Sequence, residues 1–341
     1  MARAMALGVH AFLLCLLSRF LLSADSRKLP SLSGLPELSL ELIADFSDCD
    51  DLASTGLPVL FSDGSLFAYD SRRHELLRTD LGLGRFKPVA GQGEGPAEIA
   101  GGALDMLADG DELLVLDGKR KLLCFDKMGV FKRERRLPNL SWKKILGRSD
   151  RSLYLVGSTI DETGMHYGVF RVAPDDACTL IRKAPVLMIR TDAYSTDGKP
   201  MAGGGFFLLS SPAFELCLPY LAAAGSSRYE FEIMDLDAGA VSRVSFEEPD
   251  PPKIFGRVPY PILGIFFARN RVFILSLYLR EKKPRLDVFS PSGERQNSYV
   301  LPLLYEHSPF DPEKILISDD YLIHADRKEM AGFRVYKYEL K

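Results

Sequence analysis

A polar turn followed by an alternating apolar strand recurs along this chain, and that recurrence constrains the fold more than any single motif. The stretches "SDGSLFAYD" (62–70), "ADGDELLVLD" (108–117) and "SDRSLYLVG" (149–157) share the device, and "ARNRVFILS" (268–276) and "SDDYLIHAD" (318–326) repeat it. Each opens on residues that tolerate tight or left-handed backbone, as a hairpin requires. A second strand follows each, beginning at His74, Lys121, Tyr167, Arg285 and Gly332, and then a third such as "VFKRERRL" or "RQNSYVL". The unit is a meander of antiparallel strands with period-2 alternation.

From Phe67 to Leu114 to Leu153, and again from Val272 to Tyr321, the units are spaced by about 40 to 50 residues, a period of propeller blades. One further unit fits between Leu153 and Val272, within "GGGFFLLSSPAFELCLPYLAAAGSSRYEFEIMDL". Its apolar run, 206–224, nears membrane-spanning length, but Pro212, Glu215 and Pro219 interrupt it; two blade strands joined by a proline-marked turn account for it better. Six units result. The last ends one strand short of four, and "LSLELIADF" from Leu38 is unassigned at the other end. Supplying the missing strand from the N-terminus closes the ring and removes the open edge. The expected fold is all-β: a six-bladed β-propeller of four-stranded antiparallel blades over residues 37–341, ring closed by an N-terminal strand.

Ahead of it lies an export signal over residues 1–24. Arg3 precedes "AMALGVHAFLLCLLS", and Leu22 and Ala24 suit cleavage before Asp25. Arg19 interrupts the apolar run and favours a removed signal over a permanent anchor. Cys15 follows Phe12, Leu13 and Leu14, without the small residues a lipidated cysteine needs. Residues 25–36 read as a linker. The expected location is periplasmic or extracellular, with no stable transmembrane segment after signal removal. Cys49, Cys124, Cys178 and Cys217 then remain, with no zinc-type spacing; Cys124 and Cys217 read as small buried hydrophobes, and no essential disulfide is expected.

A formal net charge of −3 leaves no global positive field for nucleic acid. The densest basic cluster, 132–136, reads as a solvated strand face. The stretch "GQGEGPAEIAGG" (91–102) falls where the outer strand of one blade crosses to the inner strand of the next. Its glycines permit tight turns and Pro96 stiffens it. A phosphate cradle is disfavoured, because the spacing fits neither GxGxxG nor GxxxxGK[ST] and no helix follows.

With "LDMLADGDELLVLDGKRKLLCFDKMGVF" after it, "GQGEGPAEI" resembles the bacterial exported six-bladed β-propellers related to NHL-repeat proteins, in which a Gly-x-Gly-x-Gly-Pro-x-Glu stretch precedes a "D-x-x-x-x-x-x-V-x-D" hairpin. The match covers one blade, from Gly91 to about Leu137, and Ile99 stands where an aromatic is commoner. The resemblance implies the fold and leaves the activity open.

Crossover loops of a propeller gather at one face of the axial channel, and rigidly held loops are where binding residues concentrate. Three are long: 192–205, 250–261 and 306–314. Glu94, Glu98, Tyr194, Arg257, Tyr260 and His307 are the candidate ligand-binding residues of that rim. The expected function is noncatalytic binding of a protein, glycan or small molecule by a monomer, with no cofactor, metal or catalytic residue assigned. The alternative is a metal-assisted, lactonase-like hydrolase or a lyase, for which Glu94, Glu98, Asp192 and His307 are available but no motif fixes a geometry. His74, His166 and His324 fall within strand patterns.

Overall fold

The computed structural model describes residues 27–28, 32–54, 58–149, 151–162, 164–185, 187–190, 206–210, 213–224, 229–247, 262–278, 283–303, 314–325 and 332–340. Two strands precede the repeating units: β1 (Arg27–Lys28) and β2 (Ser39–Asp45). Blade 1 is then built from β3 (Val59–Leu60), β4 (Ser65–Asp70), β5 (Glu75–Asp80) and β6 (Lys87–Ala90), and blade 2 from β7 (Ala103–Asp109), β8 (Glu112–Asp117), β9 (Lys121–Asp126) and β10 (Phe131–Arg136). Blade 3 holds β11 (Ser141–Ser149), β12 (Ser152–Asp161), β13 (Gly164–Val172) and β14 (Cys178–Pro185). After a separate ribbon, β15 (Leu187–Arg190) with β16 (Phe206–Ser210), blade 4 follows with β17 (Ala213–Cys217), β18 (Tyr220–Ala224), β19 (Tyr229–Asp235) and β20 (Val241–Glu247). Blade 5 comprises β21 (Ile262–Ala268), β22 (Arg271–Tyr278), β23 (Lys283–Phe289) and β24 (Arg295–Val300). Blade 6 has three strands of its own, β25 (Lys314–Ile317), β26 (Tyr321–Ala325) and β27 (Arg334–Glu339), and takes its fourth from β2, which pairs antiparallel with β27. The architecture is a six-bladed β-propeller closed by an N-terminal strand, as the repeats predict.

Strand chemistry follows position in the blade. β8, "ELLVLD", reads as an unbroken apolar run because both of its faces are covered. Leu113 and Val115 join Phe67 and Tyr69 of blade 1, whereas Leu114 and Leu116 join Leu153 and Leu155 of blade 3. Each leucine so buried contributes roughly 1.5–3 kcal/mol. β10, "FKRERR", is an outermost strand with one edge unpaired, and its charges are mostly exposed. One apolar cluster fills each junction between neighbouring blades. The junction that closes the ring sets Ile323 and Val335 of blade 6 against Leu66, Ala68 and Leu77 of blade 1.

The segment leading to β2 lies along outer edges. Arg27 and Lys28 pair parallel with Phe246 and Glu247 of β20, Glu37 bridges Val300 of β24, and Ser39 to Asp45 complete blade 6. It touches three consecutive blades.

Crossovers are held by buried aspartates at the ends of second strands. Asp117 ends β8 with no exposed surface and accepts from the backbone N–H groups of Ala100 and Gly101 at 2.9 and 2.8 Å, and of Lys119 at 2.8 Å. Asp70 ends β4 in the same way, accepting from Ala53, Arg72 and Arg73. Asp117, the closing residue of the V-x-D end of this hairpin, is thus a latch on the glycine-rich crossover. Close approach explains one of its glycines and the glycine it packs against: a Cβ on Gly101 would stand 2.7 Å from the Lys119 nitrogen, and one on Gly118, in the turn after β8, 2.6 Å from the Gly101 oxygen.

Three local expectations need correction. Phe206–Ser210 pairs with β15 outside the blade, so the first two strands of blade 4 are β17 and β18, joined at Pro219. Hydrophobicity alone could not separate the two neighbouring apolar runs. Cys217 is exposed, at the turn end of β17, whereas Cys124 is buried as expected. His74 occupies a left-handed turn position with φ of 56° rather than a strand, while His166 and His324 do lie in strands.

Candidate functional site

The innermost strands lie next to one another in sequence: β3 beside β7, β7 beside β11, β11 beside β17, β17 beside β21 and β21 beside β25. An innermost strand has no further strand on its axial side, so its exposed side chains border the channel.

Three consecutive innermost strands each carry charge in an otherwise largely apolar stretch: Asp105 on β7, Lys144, which follows Lys143, on β11, and Glu215 on β17. Lys144 Nζ donates to Glu215 Oε2 at 2.6 Å and to the Phe214 carbonyl at 3.1 Å. Asp105 Oδ2 accepts from the Ile145 N–H at 2.8 Å, tying β7 to β11. The Lys144 side chain keeps 40% of its surface and Glu215 keeps 21%. Protein surrounds the pair closely, yet both side chains keep part of their surface, which is the environment of a channel wall rather than of a sealed core.

Electrostatics at these residues is shaped by enclosure. Burial raises the Asp105 carboxyl to about 6, with Glu215 adding in the same direction while the Lys144 charge and the Ile145 N–H oppose it. For Lys144, burial works against the charged form, but attraction to Glu215 and Asp105 and the hydrogen bond to Glu215 outweigh it and hold the pKa above the ordinary lysine value. The group stays cationic. Apolar side chains with exposed surface stand on two other innermost strands: Leu316 of β25 is 36% exposed, and Phe266 of β21 is half-buried, its ring lying over Gly264. Leu104, beside Asp105, is 41% exposed. The chemistry available is a cation flanked by carboxylates, with apolar surface nearby. Among the described residues no group of three or more His, Cys, Asp or Glu converges to hold a metal ion.

Of the residues singled out in the sequence, Glu94 is exposed on the crossover between blades 1 and 2. Glu98 turns back on its own loop, where Oε2 accepts from the Gly95 N–H at 2.6 Å and lies against Gly93. It shapes the crossover. Tyr194, Arg257, Tyr260 and His307 lie outside the described residues, as does Asp192. Asp105, Lys144 and Glu215 escaped the sequence reading. The signal was nonetheless present, since "ALDML", "SWKKIL" and "AFELC" each interrupt an apolar innermost strand with a charge.

No protein-family model matches the chain, and no curated protein matches it by sequence. Solved structures do. One is a protein of Bacteroides fragilis NCTC 9343 inferred to be exported, 15% identical, with 92% of this chain and 98% of that one covered and a TM-score of 0.52. Another is the WD40 repeats of RRP9, 10% identical, covering 88% and 100%, with a TM-score of 0.50. Virginiamycin B lyase of Staphylococcus aureus aligns at 10% identity over 88% and 99%, with a TM-score of 0.49. At such identities the likeness to the first two bears on fold alone, and it agrees with the ring of blades described above.

Proposed function

We propose that this chain is an exported, noncatalytic propeller that binds a small ligand or glycan at its channel. The observation carrying this reading is the placement of Lys144 between Glu215 and Asp105 on adjacent innermost strands, where a charged group remains open to solvent. A ligand hydroxyl or carboxylate can take a hydrogen bond from the ammonium, and one with a hydroxyl or amino group can donate to Glu215. Apolar surface at Leu104, Phe266 and Leu316 suits the ligand's carbon skeleton. The crossovers containing Tyr194, Arg257, Tyr260 and His307 supply the rim in this proposal, and Glu94 the exposed part of the described crossover.

Export is supported by the leader-like first 24 residues. Among the described residues no helix is long and apolar enough to cross a membrane.

The test is a thermal-shift screen of the purified chain against monosaccharides, disaccharides, amino acids and short carboxylates, followed by calorimetry. At least one class should bind saturably, and Lys144→Gln should weaken it by about tenfold. Binding that is indifferent to Lys144→Gln, to Glu215→Gln and to joint alanine replacement of Tyr194, Arg257 and Tyr260 overturns the reading.

A further inference from the structure

A second site lies in the seam between blades 2 and 3, running from the ends of the innermost strands β7 and β11 out to the outermost strand β10. The face that blade 2 turns toward blade 3 can be read row by row from its register. Arg133 stands opposite Cys124, and Cys124 opposite Leu114; Arg135 stands opposite Leu122. Leucines floor the seam while the outermost strand adds two guanidinium groups. From blade 3, Arg148, Ser149, Arg151 and Leu153 face them across a cleft of about 510 Å³. Cavities of roughly 300–1,000 Å³ hold small molecules.

Ion pairs brace the cleft on both sides. Arg148 of blade 3 reaches Asp109 and Glu112 of blade 2, its Nη1 lying 2.7 Å from Glu112 Oε2. In the reverse direction Arg135 of blade 2 donates to Asp176, at 2.7 Å, and to the Ala173 carbonyl, both beyond β13. Arg133 grips Glu112 through two bonds of 2.7 and 2.8 Å. The bracing leaves donors over. Four arginines face three carboxylates, those of Asp109, Glu112 and Asp176, and Arg151 has no hydrogen-bonding or ionic partner among the described residues. Arg133 also keeps 54% of its side-chain surface.

Guanidinium groups bind planar oxyanions with fixed geometry, and an apolar floor of Leu114, Leu122, Cys124 and Leu153 favours a hydrocarbon portion on the same molecule. We infer that the seam between blades 2 and 3 binds a small amphiphilic oxyanion, a carboxylate or phosphate ester bearing an aliphatic chain. The overall charge of −3 makes this positive cleft a local exception, so attraction acts at short range and weakens with salt.

Calorimetry with octanoate and with octyl phosphate, each below its micellar concentration, tests the inference and distinguishes the two head groups. One or both should bind at one site per chain, inorganic phosphate should bind more weakly, and neutral octyl glucoside should not bind. Arg151→Asn, chosen because Asn tolerates the left-handed backbone at φ of 66°, should weaken binding by about fivefold to tenfold. Ser149→Asp, which places a negative charge in the cleft, should abolish it. Lys144→Gln should leave it intact, separating this site from the channel. Absence of saturable binding by either anion, equal binding of octyl glucoside, or affinities unchanged in both Arg151→Asn and Ser149→Asp would refute the assignment.

Discussion

Lys144 and Glu215 are separated by 71 residues in sequence and joined by a 2.6 Å hydrogen bond between the innermost strands of blades 3 and 4. Together with the contact from Asp105 to the Ile145 N–H, this pair fastens three blades at the channel wall. The ionic group at the axis therefore has structural consequences that can be measured before any ligand is known.

Replacing Lys144 by Met should move the Asp105 carboxyl still further above its present value of about 6, because the one favourable charge acting on it would be lost. Carbon-detected NMR titration of the aspartate carboxyls would read this directly. An Asp105 pKa that stayed put or fell would show that Lys144 does not act on it.

The same carboxyl makes stability depend on pH. Its folded pKa is above the ordinary value of 3.8, so ionisation costs more in the folded chain than in the unfolded one. Below about pH 4 both states are protonated and there is no penalty; the penalty develops as pH rises and is complete above about pH 6, reaching about 3 kcal/mol at most. Asp105→Asn keeps an acceptor for Ile145 and removes the charge. Urea denaturation should show the variant gaining on the parent between pH 4 and pH 7, and parallel stability curves would count against the assignment.

Asp117 is the most exacting of the structural positions. Its carboxylate accepts three backbone N–H groups, two of them on the crossover, so Asp117→Ala should lower stability by about 3 kcal/mol or more. Asp117→Asn should cost less. Hydrogen exchange at Ala100 and Gly101 should accelerate in the alanine variant, and unaltered protection there would remove Asp117 from the role of latch.

Gly101→Ala should destabilise the fold by about 1–3 kcal/mol, because the new methyl would meet the backbone of Gly118 and Lys119 rather than a movable side chain. Gly82→Ala has open space around it and should be close to neutral. A pair of melting curves decides the matter.

Within the blade 4–5 junction, Arg285 and Asp287 are fully buried, with Tyr229 donating to Asp287 across the seam. Burial, reinforced by the Asp287 charge, raises the Tyr229 hydroxyl well above its ordinary pKa. Arg285→Met should therefore cost about 3–5 kcal/mol by leaving Asp287 without its cation, and Tyr229→Phe about 1–2 kcal/mol. If chemical denaturation ranks Tyr229→Phe as the costlier change, the ion pair is not what the junction depends on.

Much of this fold could be read from local pattern. Turn residues ahead of short apolar runs mark β4, β8 and β12, and the strand-like run at Leu38 anticipates β2 because a blade with three strands needs a fourth. The ribbon of β15 and β16 was not legible, since Phe206–Ser210 and Ala213–Cys217 form nearly one apolar run and only their different partners distinguish them. Site residues were harder for a related reason. Glu98 is a rim candidate by its place on a loop, and only the structure gives its partner, the Gly95 N–H three residues away. The relation of Asp105, Lys144 and Glu215 depends on blades that meet only in three dimensions, so each charge looks incidental until the innermost strands are placed side by side.

The pairing of β2 with β27 also fixes an order of events. Because β2 precedes the first blade and β27 belongs to the sixth, β2 finds its neighbour only after every blade has been made, and the ring stays unlocked until then.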